Sequence, residues 1–263
     1  MYRVLVILFI LKQCCGFLIL RNGSLEANTL ITFNEPVNDK PLPIYFDWRS
    51  KNAVSPVKDQ KNCNACWAFS VIANIESQLK IYKNDEKLMS EQFLIDCDHD
   101  QEGCKTGSIT SAFANIVTRF GGVLLEKDYP YQNGQQKCTA PNPPPYLVKV
   151  TGFKRVSSDE EEMAKAVFHF GPLSAAINAA SMRHYKSNII DEPSDKDCNP
   201  NDLDHAVLIV GYNVYVDTHG RETPYWIIKN SWGEDWGDKG YYYLVRGRNA
   251  CGIASDVSFS VVT

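Results

Sequence analysis

Gln60-Lys61-Asn62-Cys63-Asn64-Ala65-Cys66-Trp67-Ala68-Phe69-Ser70 is the stretch on which the reading of this chain turns. Cys66 opens an apolar run in which Trp67, Val71, Ile72, Ile75, Leu79 and Tyr82 recur at steps of three and four residues. That period predicts a helix with one buried face. A cysteine in the first turn sits at the positive end of the helix dipole, which favours the thiolate, the nucleophilic form. Two blander readings compete: a buried structural cysteine, and a Cys63–Cys66 redox pair. The redox motif belongs after a strand in a βαβ pattern, and the residues ahead show none.

The 263 residues suffice for one large domain or two modest ones sharing a cleft. Hydrophobic residues make up 44% and charged residues 22%, ordinary for a globular protein. With a net charge of −4 and no Lys/Arg-rich block, nucleic acid is excluded as a partner. Arg3 precedes the apolar run Val4–Leu11, and Cys14-Cys15-Gly16 offers small residues for cleavage, so residues 1–16 read as a secretory signal peptide. Lys12 and Gln13 interrupt that run, which argues against stable membrane insertion. Residues 17–41 read as a short propeptide or linker.

Of the nine cysteines, Cys14 and Cys15 fall in the signal segment. The remaining odd number in a secreted chain suggests three disulfides and one further thiol. Composition alone leaves open which cysteine is the odd one and how the others pair.

Beyond the central helix, Ser90 caps a short helix through Cys97, and Ser108–Phe120 is helical with Gly121-Gly122 as its stop. Asn133–Pro145 is a loop rich in Gly and Pro. Ser158-Asp159-Glu160-Glu161 reads as a capping box opening a helix to about Phe170, ended by Gly171-Pro172. From Leu173 the pattern changes to short runs rich in β-branched and aromatic residues: Leu173–Asn178, His205–Val216, Tyr225–Lys229, Gly240–Arg246 and Val257–Val262. The expectation is an α+β protein, mainly helical over about 50–150 and β-rich over about 151–263.

Cys63-Asn64-Ala65-Cys66-Trp67 closely resembles the active-site word of papain-family cysteine proteases. Leu42-Pro43-Ile44-Tyr45-Phe46-Asp47-Trp48-Arg49 is similar to the family's mature amino terminus. The resemblance covers 42–263 and is strongest to cathepsins L and F and to the cathepsin-like proteases of insect viruses. It implies a papain-like two-domain fold, with an antiparallel, β-barrel-like C-terminal half and the active-site cleft between the halves. The family carries a long helical prodomain. Residues 21–41 are too few and too polar for one, so weak intramolecular inhibition is expected.

A nucleophilic cysteine needs a base, and the base needs an orienter. Leu203-Asp204-His205-Ala206-Val207 resembles the family's histidine motif, and His205 falls within the interval of roughly 130–150 residues downstream of the cysteine. His99, beside Cys97 and Cys104, lacks a fourth ligand for zinc. His169 reads as packing, and His184 and His219 as solvated loop residues. Asn230-Ser231-Trp232-Gly233 matches the asparagine motif; it implies that Asn230 orients His205 and that Trp232 shields their bond and lines the leaving-group side. Gln60, with the backbone N–H of Cys66, is implied as the oxyanion hole.

The resemblance pairs Cys63 with Cys104, Cys97 with Cys138 and Cys198 with Cys251, leaving Cys66 as the remaining thiol. It places Gly107 at the cleft edge, with Ser108, Ile109, Leu203 and Ala206 as walls and Asp256 as floor of the main specificity pocket. It implies an endopeptidase in a lysosomal or extracellular setting, acting as a monomer on protein or peptide substrates. Cystatin-like inhibitors are implied as partners, and neither metal nor organic cofactor is needed. Two rivals carry less. A catalytically dead homologue should lack a catalytic residue, and a transglutaminase-like transferase usually has Asp where Asn230 stands. One departure stands out: Asn64 replaces the family's glycine, and is expected to crowd the cleft or to draw on a positive φ.

Overall fold

The computed structural model describes residues 16–17 and 41–262. Apart from Gly16, Phe17 and Pro41, the signal-peptide and linker readings lie outside these residues. The first two of these form β1 (Gly16–Phe17), paired in parallel with β3 (Thr106–Gly107). β2 (Phe46–Asp47) leads into α1 (Cys66–Lys83), α2 (Glu91–Cys97) and α3 (Ile109–Asn115), the last continued by a π-helical turn. β4 (Gly122–Val123) and β5 (Val148–Arg155) precede α4 (Glu160–Phe170) and β6 (Leu173–Ile177). β7 (His205–Val216), β8 (Glu222–Lys229), β9 (Tyr241–Val245) and β10 (Val257–Val262) complete the chain.

The strands from β4 onward form one antiparallel sheet in the order β4-β5-β10-β6-β7-β8-β9, with β2 added alongside β7. The α+β expectation holds, but the barrel-like description needs correcting. β4 and β9 are edges of an open sheet and do not pair to close it. β5 was not anticipated, although its alternation of buried Val148, Val150 and Phe153 with exposed Lys149, Thr151 and Lys154 is that of a half-buried strand.

α1 departs from the one-faced helix that its apolar period predicts. Every residue from Cys66 to Leu79 is buried, Asn74, Glu76, Ser77 and Gln78 included. The helix lies between the other helices and the sheet, so its polar face is covered as well. Asn74, Glu76 and Gln78 are satisfied across the junction, as burial requires, whereas Ser77 Oγ has no hydrogen-bond partner among the described residues. Asn74 Oδ1 accepts from the N–H and Oγ of Ser260, and its amide donates to Pro172 O at 2.8 Å. Gln78 donates to Phe170 O at 2.9 Å, and Ser70 Oγ to Val207 O at 2.7 Å. Tyr82, at the far end, is half exposed. Ser90 caps α2 as expected, accepting from Phe93 N. The cap of α4 is Asp159, accepting from Glu161 N, rather than Ser158. Among the described residues no helix is long and apolar enough to cross a membrane.

Candidate active site

Cys66 is the first residue of α1, preceded by Ala65, which makes no side-chain cap. The three disulfides are Cys63–Cys104, Cys97–Cys138 and Cys198–Cys251, as the resemblance implied, and Cys66 stands outside them. Cys63–Cys104 ties the loop before α1 to the segment before β3, and Asn64 N–H donates to Cys104 O beside it. The same segment passes close to Trp67. Its indole donates to Gly103 O, and a Cβ on Gly107 would lie 2.5 Å from the ring, so glycine is required there.

His205 begins β7, and Asn230 directly follows β8. Leu208 pairs with Lys229, and continuing that antiparallel register brings His205 beside Asn230 and Trp232. His205 Nε2 lies 2.7 Å from Asn230 Oδ1. The Trp232 ring stands 4.8 Å from the imidazole, centre to centre, and is braced edge-on by Trp236. His205 and Asn230 are buried, so their bond is removed from water. With Nε2 committed to an acceptor, Nδ1 is the ring nitrogen left for proton exchange.

Gln60 is held on three sides. Its N–H donates to Ser231 O, its Oε1 accepts from Ser231 Oγ at 2.7 Å, and its Nε2 donates to Cys63 O at 2.9 Å. A primary amide carries two N–H donors, so one remains for an oxyanion. Gln60, Asn64, His205 and Trp232 face one cavity of about 230 Å³, which Lys61, Ala179, Arg183 and Asp204 also line. Ser231 lay inside the Asn-Ser-Trp-Gly motif, but its role as the anchor of Gln60 was not read from it.

Asn64 is exposed and has no positive φ, so the backbone does not demand glycine at this position. What remains of that expectation is the side chain in the cavity. Ile109, Leu203 and Ala206 pack in one apolar cluster with Cys66 and Ala176. Ser108 spends its hydroxyl capping α3. Asp256 is buried; its Oδ1 lies 3.1 Å from Thr110 Oγ1 and 3.8 Å from the Arg155 guanidinium, and its carbonyl accepts from Ala176 N–H. Burial pushes its carboxyl above the ordinary range, while Arg155 and Thr110 pull it back. Thr110, Arg155 and Ala176 were not anticipated. Of the other histidines, His99, His184 and His219 are exposed; His169, expected to pack, is exposed too, with its ring edge-on to Phe168.

A buried charged cluster lies behind Asn230. Lys58 bridges Glu76 at 2.8 Å and Glu91 at 2.7 Å, and Lys229 donates to Ser55 Oγ. Burial pushes Lys229 down to about 8 and Glu91 up to about 7, whereas Lys58 and Lys229 hold Glu76 below its ordinary value despite its burial.

An α+β fold that opens its central helix on a cysteine outside the disulfides, and that sets an asparagine-paired histidine and an anchored glutamine at one cavity, is that of a papain-like protein. The family profile described as papain family cysteine protease matches residues 42–261, and the chain belongs to that family. It is 40% identical to cysteine proteinase 1 of Dictyostelium discoideum over 84% of this chain and 66% of the relative. It is 41% identical to a viral cathepsin of Heliothis zea nuclear polyhedrosis virus over 85% of this chain and 58% of the relative. The chain thus spans under two thirds of the length of those relatives. Among solved structures, digestive procathepsin L 3 of Tenebrio molitor larval midgut matches with a TM-score of 0.76 and 38% identity, covering 85% of this chain and 71% of that one.

Proposed function

We propose that this chain is a cysteine endopeptidase in which Cys66 is the nucleophile and His205 its base. Asn230 orients the histidine, and Gln60 with the Cys66 N–H forms the oxyanion hole. The observation that carries the reading is the buried 2.7 Å contact of His205 Nε2 with Asn230 Oδ1 under Trp232. It leaves Nδ1 as the nitrogen for exchange with the thiol and stabilises an imidazolium. The Cys66 sulfur attacks the peptide carbonyl and the C–O π pair moves to oxygen. Collapse breaks the C–N bond as His205 gives its proton to the leaving amine. Water then loses a proton to His205 and adds to the thioester, and the sulfur departs as thiolate. One oxyanion donor is worth on the order of 3 kcal/mol of barrier.

Substrate selection rests on the apolar cluster of Ile109, Ala176, Leu203 and Ala206, with Asp256 as floor, taking the second residue before the scissile bond. Cathepsin B-like exopeptidases carry an inserted loop with paired histidines. No histidine stands between Cys104 and Cys138, which supports internal cleavage. Three disulfides support an oxidising compartment, lysosomal or extracellular. The test combines an internally quenched peptide with a peptidyl epoxide at pH 5–6. Stoichiometric labelling of Cys66, loss of turnover on labelling and in Cys66→Ala, and products of internal cleavage are expected. Labelling elsewhere, or release of dipeptides from the carboxyl terminus alone, refutes the assignment.

A further inference from the structure

The cavity before His205 carries more charge than amide hydrolysis requires. Besides Gln60, Asn64, His205 and Trp232, it is lined by Lys61, Ala179, Arg183 and Asp204. Two permanent cations and one carboxylate therefore border it. That carboxylate is already committed at both oxygens: Oδ1 accepts from Ala179 N–H at 2.7 Å, and Oδ2 meets the Arg183 guanidinium at 3.4 Å.

Arg183 is not used up by this contact. A guanidinium offers five N–H donors, and the side chain is 50% exposed with Asp204 as its one ion-pair partner among the described residues. Its backbone is fixed in the 3₁₀ turn Met182–His184 by a bond to Ala179 O, with Met182 fully buried beneath. The head is thus presented to solvent from a fixed base. Lys61 is exposed as well and has no ion pair among the described residues. Its N–H is held by Asp59 Oδ1 at 2.7 Å, and its φ of 52° turns the chain here. The bland alternative is that Arg183 only braces Asp204. A half-exposed, single-contact pair of this kind stabilises little, and it leaves most of the guanidinium's donors turned to solvent and open to a ligand.

The cavity's position gives its charge a role. His205 passes its proton to the leaving amine, so groups that share a cavity with His205 and Trp232 face the substrate beyond the scissile bond. Resting on the proposed peptidase reading, we infer that Arg183, assisted by Lys61, selects a carboxylate on the leaving segment, an Asp or Glu side chain at the first or second residue after the cut. A planar guanidinium suits a carboxylate, since two parallel N–H donors meet two oxygens.

The test uses internally quenched peptides identical up to the scissile bond, with Glu, Ala or Lys at the first or second residue beyond it. In low salt, kcat/KM for Glu should exceed that for Lys by about two- to fivefold at one of these positions, the size of a partly exposed charge contact. The ratio should shrink as salt is added. It should collapse toward one in Arg183→Gln, persist in Arg183→Lys and fall in part in Lys61→Gln. Affinities of the same peptides for the Cys66→Ala chain, read by fluorescence anisotropy, should rank alike. Absent turnover with the Glu preference intact in binding would refute the peptidase reading and keep the carboxylate site. A Glu-to-Lys ratio of one at both positions, or an unchanged ratio in the Arg183→Gln/Lys61→Gln double variant, overturns the inference.

Discussion

Replacing Asp256 with alanine tests its proposed place as the specificity floor most sharply. The carboxylate is 4% exposed. Thr110 and Arg155 engage Oδ1, and Oδ2 makes no hydrogen bond among the described residues. One oxygen is therefore available to a substrate arginine lying in the pocket. A hydrogen bond to a charged group contributes about 1.5–3 kcal/mol. Arg155 already offsets part of the negative charge, so the lower end applies. At about 1.36 kcal/mol per decade, that is roughly tenfold in rate. The assay compares kcat/KM on Phe-Arg and Arg-Arg coumarylamides, and reads the Arg-Arg to Phe-Arg ratio. In Asp256→Ala the ratio should fall about tenfold. The pH dependence follows from the direction of the shift. Burial raises the carboxyl above its ordinary 3.8, so the neutral acid persists to higher pH than for an exposed Asp. The ratio should then climb with pH across a midpoint above 3.8, and Asp256→Ala should abolish the climb. Arg155→Ala removes a competing cation and should raise the ratio once the carboxyl is ionised. An unchanged ratio in Asp256→Ala, or one that falls as pH rises, removes Asp256 from the pocket.

Three further outcomes are expected. Asn64→Gly should raise kcat/KM a few-fold by clearing the cavity wall; because Asn64 already has ordinary φ, little of the change should appear in stability, and an equal or lower kcat/KM counts against crowding. Asn230→Ala leaves the imidazole free to turn, and misplacement of that order costs about a hundredfold in kcat; a loss confined to KM would contradict the orienting role. Glu91 is held up to about 7 against an ordinary 4.5, because its burial and the neighbouring Glu76 carboxylate outweigh the pull of Lys58. The folded state then keeps a proton that the unfolded chain has released between those pH values, so its contribution to stability is full below 4.5 and is lost as pH rises through 7. The melting temperature should decline from pH 5 to pH 7.5, and Glu91→Gln should flatten the decline; a flat profile in the unsubstituted protein would refute the assignment.

Short-range pattern determined a good deal of this protein. The period after Cys66, the Ser90 and Ser108 caps, the stops at Gly121 and Gly171, and the strands His205–Val216 and Val257–Val262 are each written within a dozen residues. The motif words around Gln60, Cys66, His205 and Asn230 are equally local. Tertiary structure decided what depends on residues far apart in the chain. α1 reads as one-faced, yet it is buried all round because helices cover one side and the sheet the other; its polar residues find partners such as Ser260 and Pro172. Whether the sheet closes depends on the relation of β4 to β9, which no local period records. Gln60 is held by Ser231, Asp256 is met by Thr110 and Arg155, and Arg183 reaches the cavity before His205 only because the loop after β6 folds back onto Asp204. Such pairings follow from where the elements pack and from the need to satisfy buried polar groups, and those requirements arise only once the two halves meet.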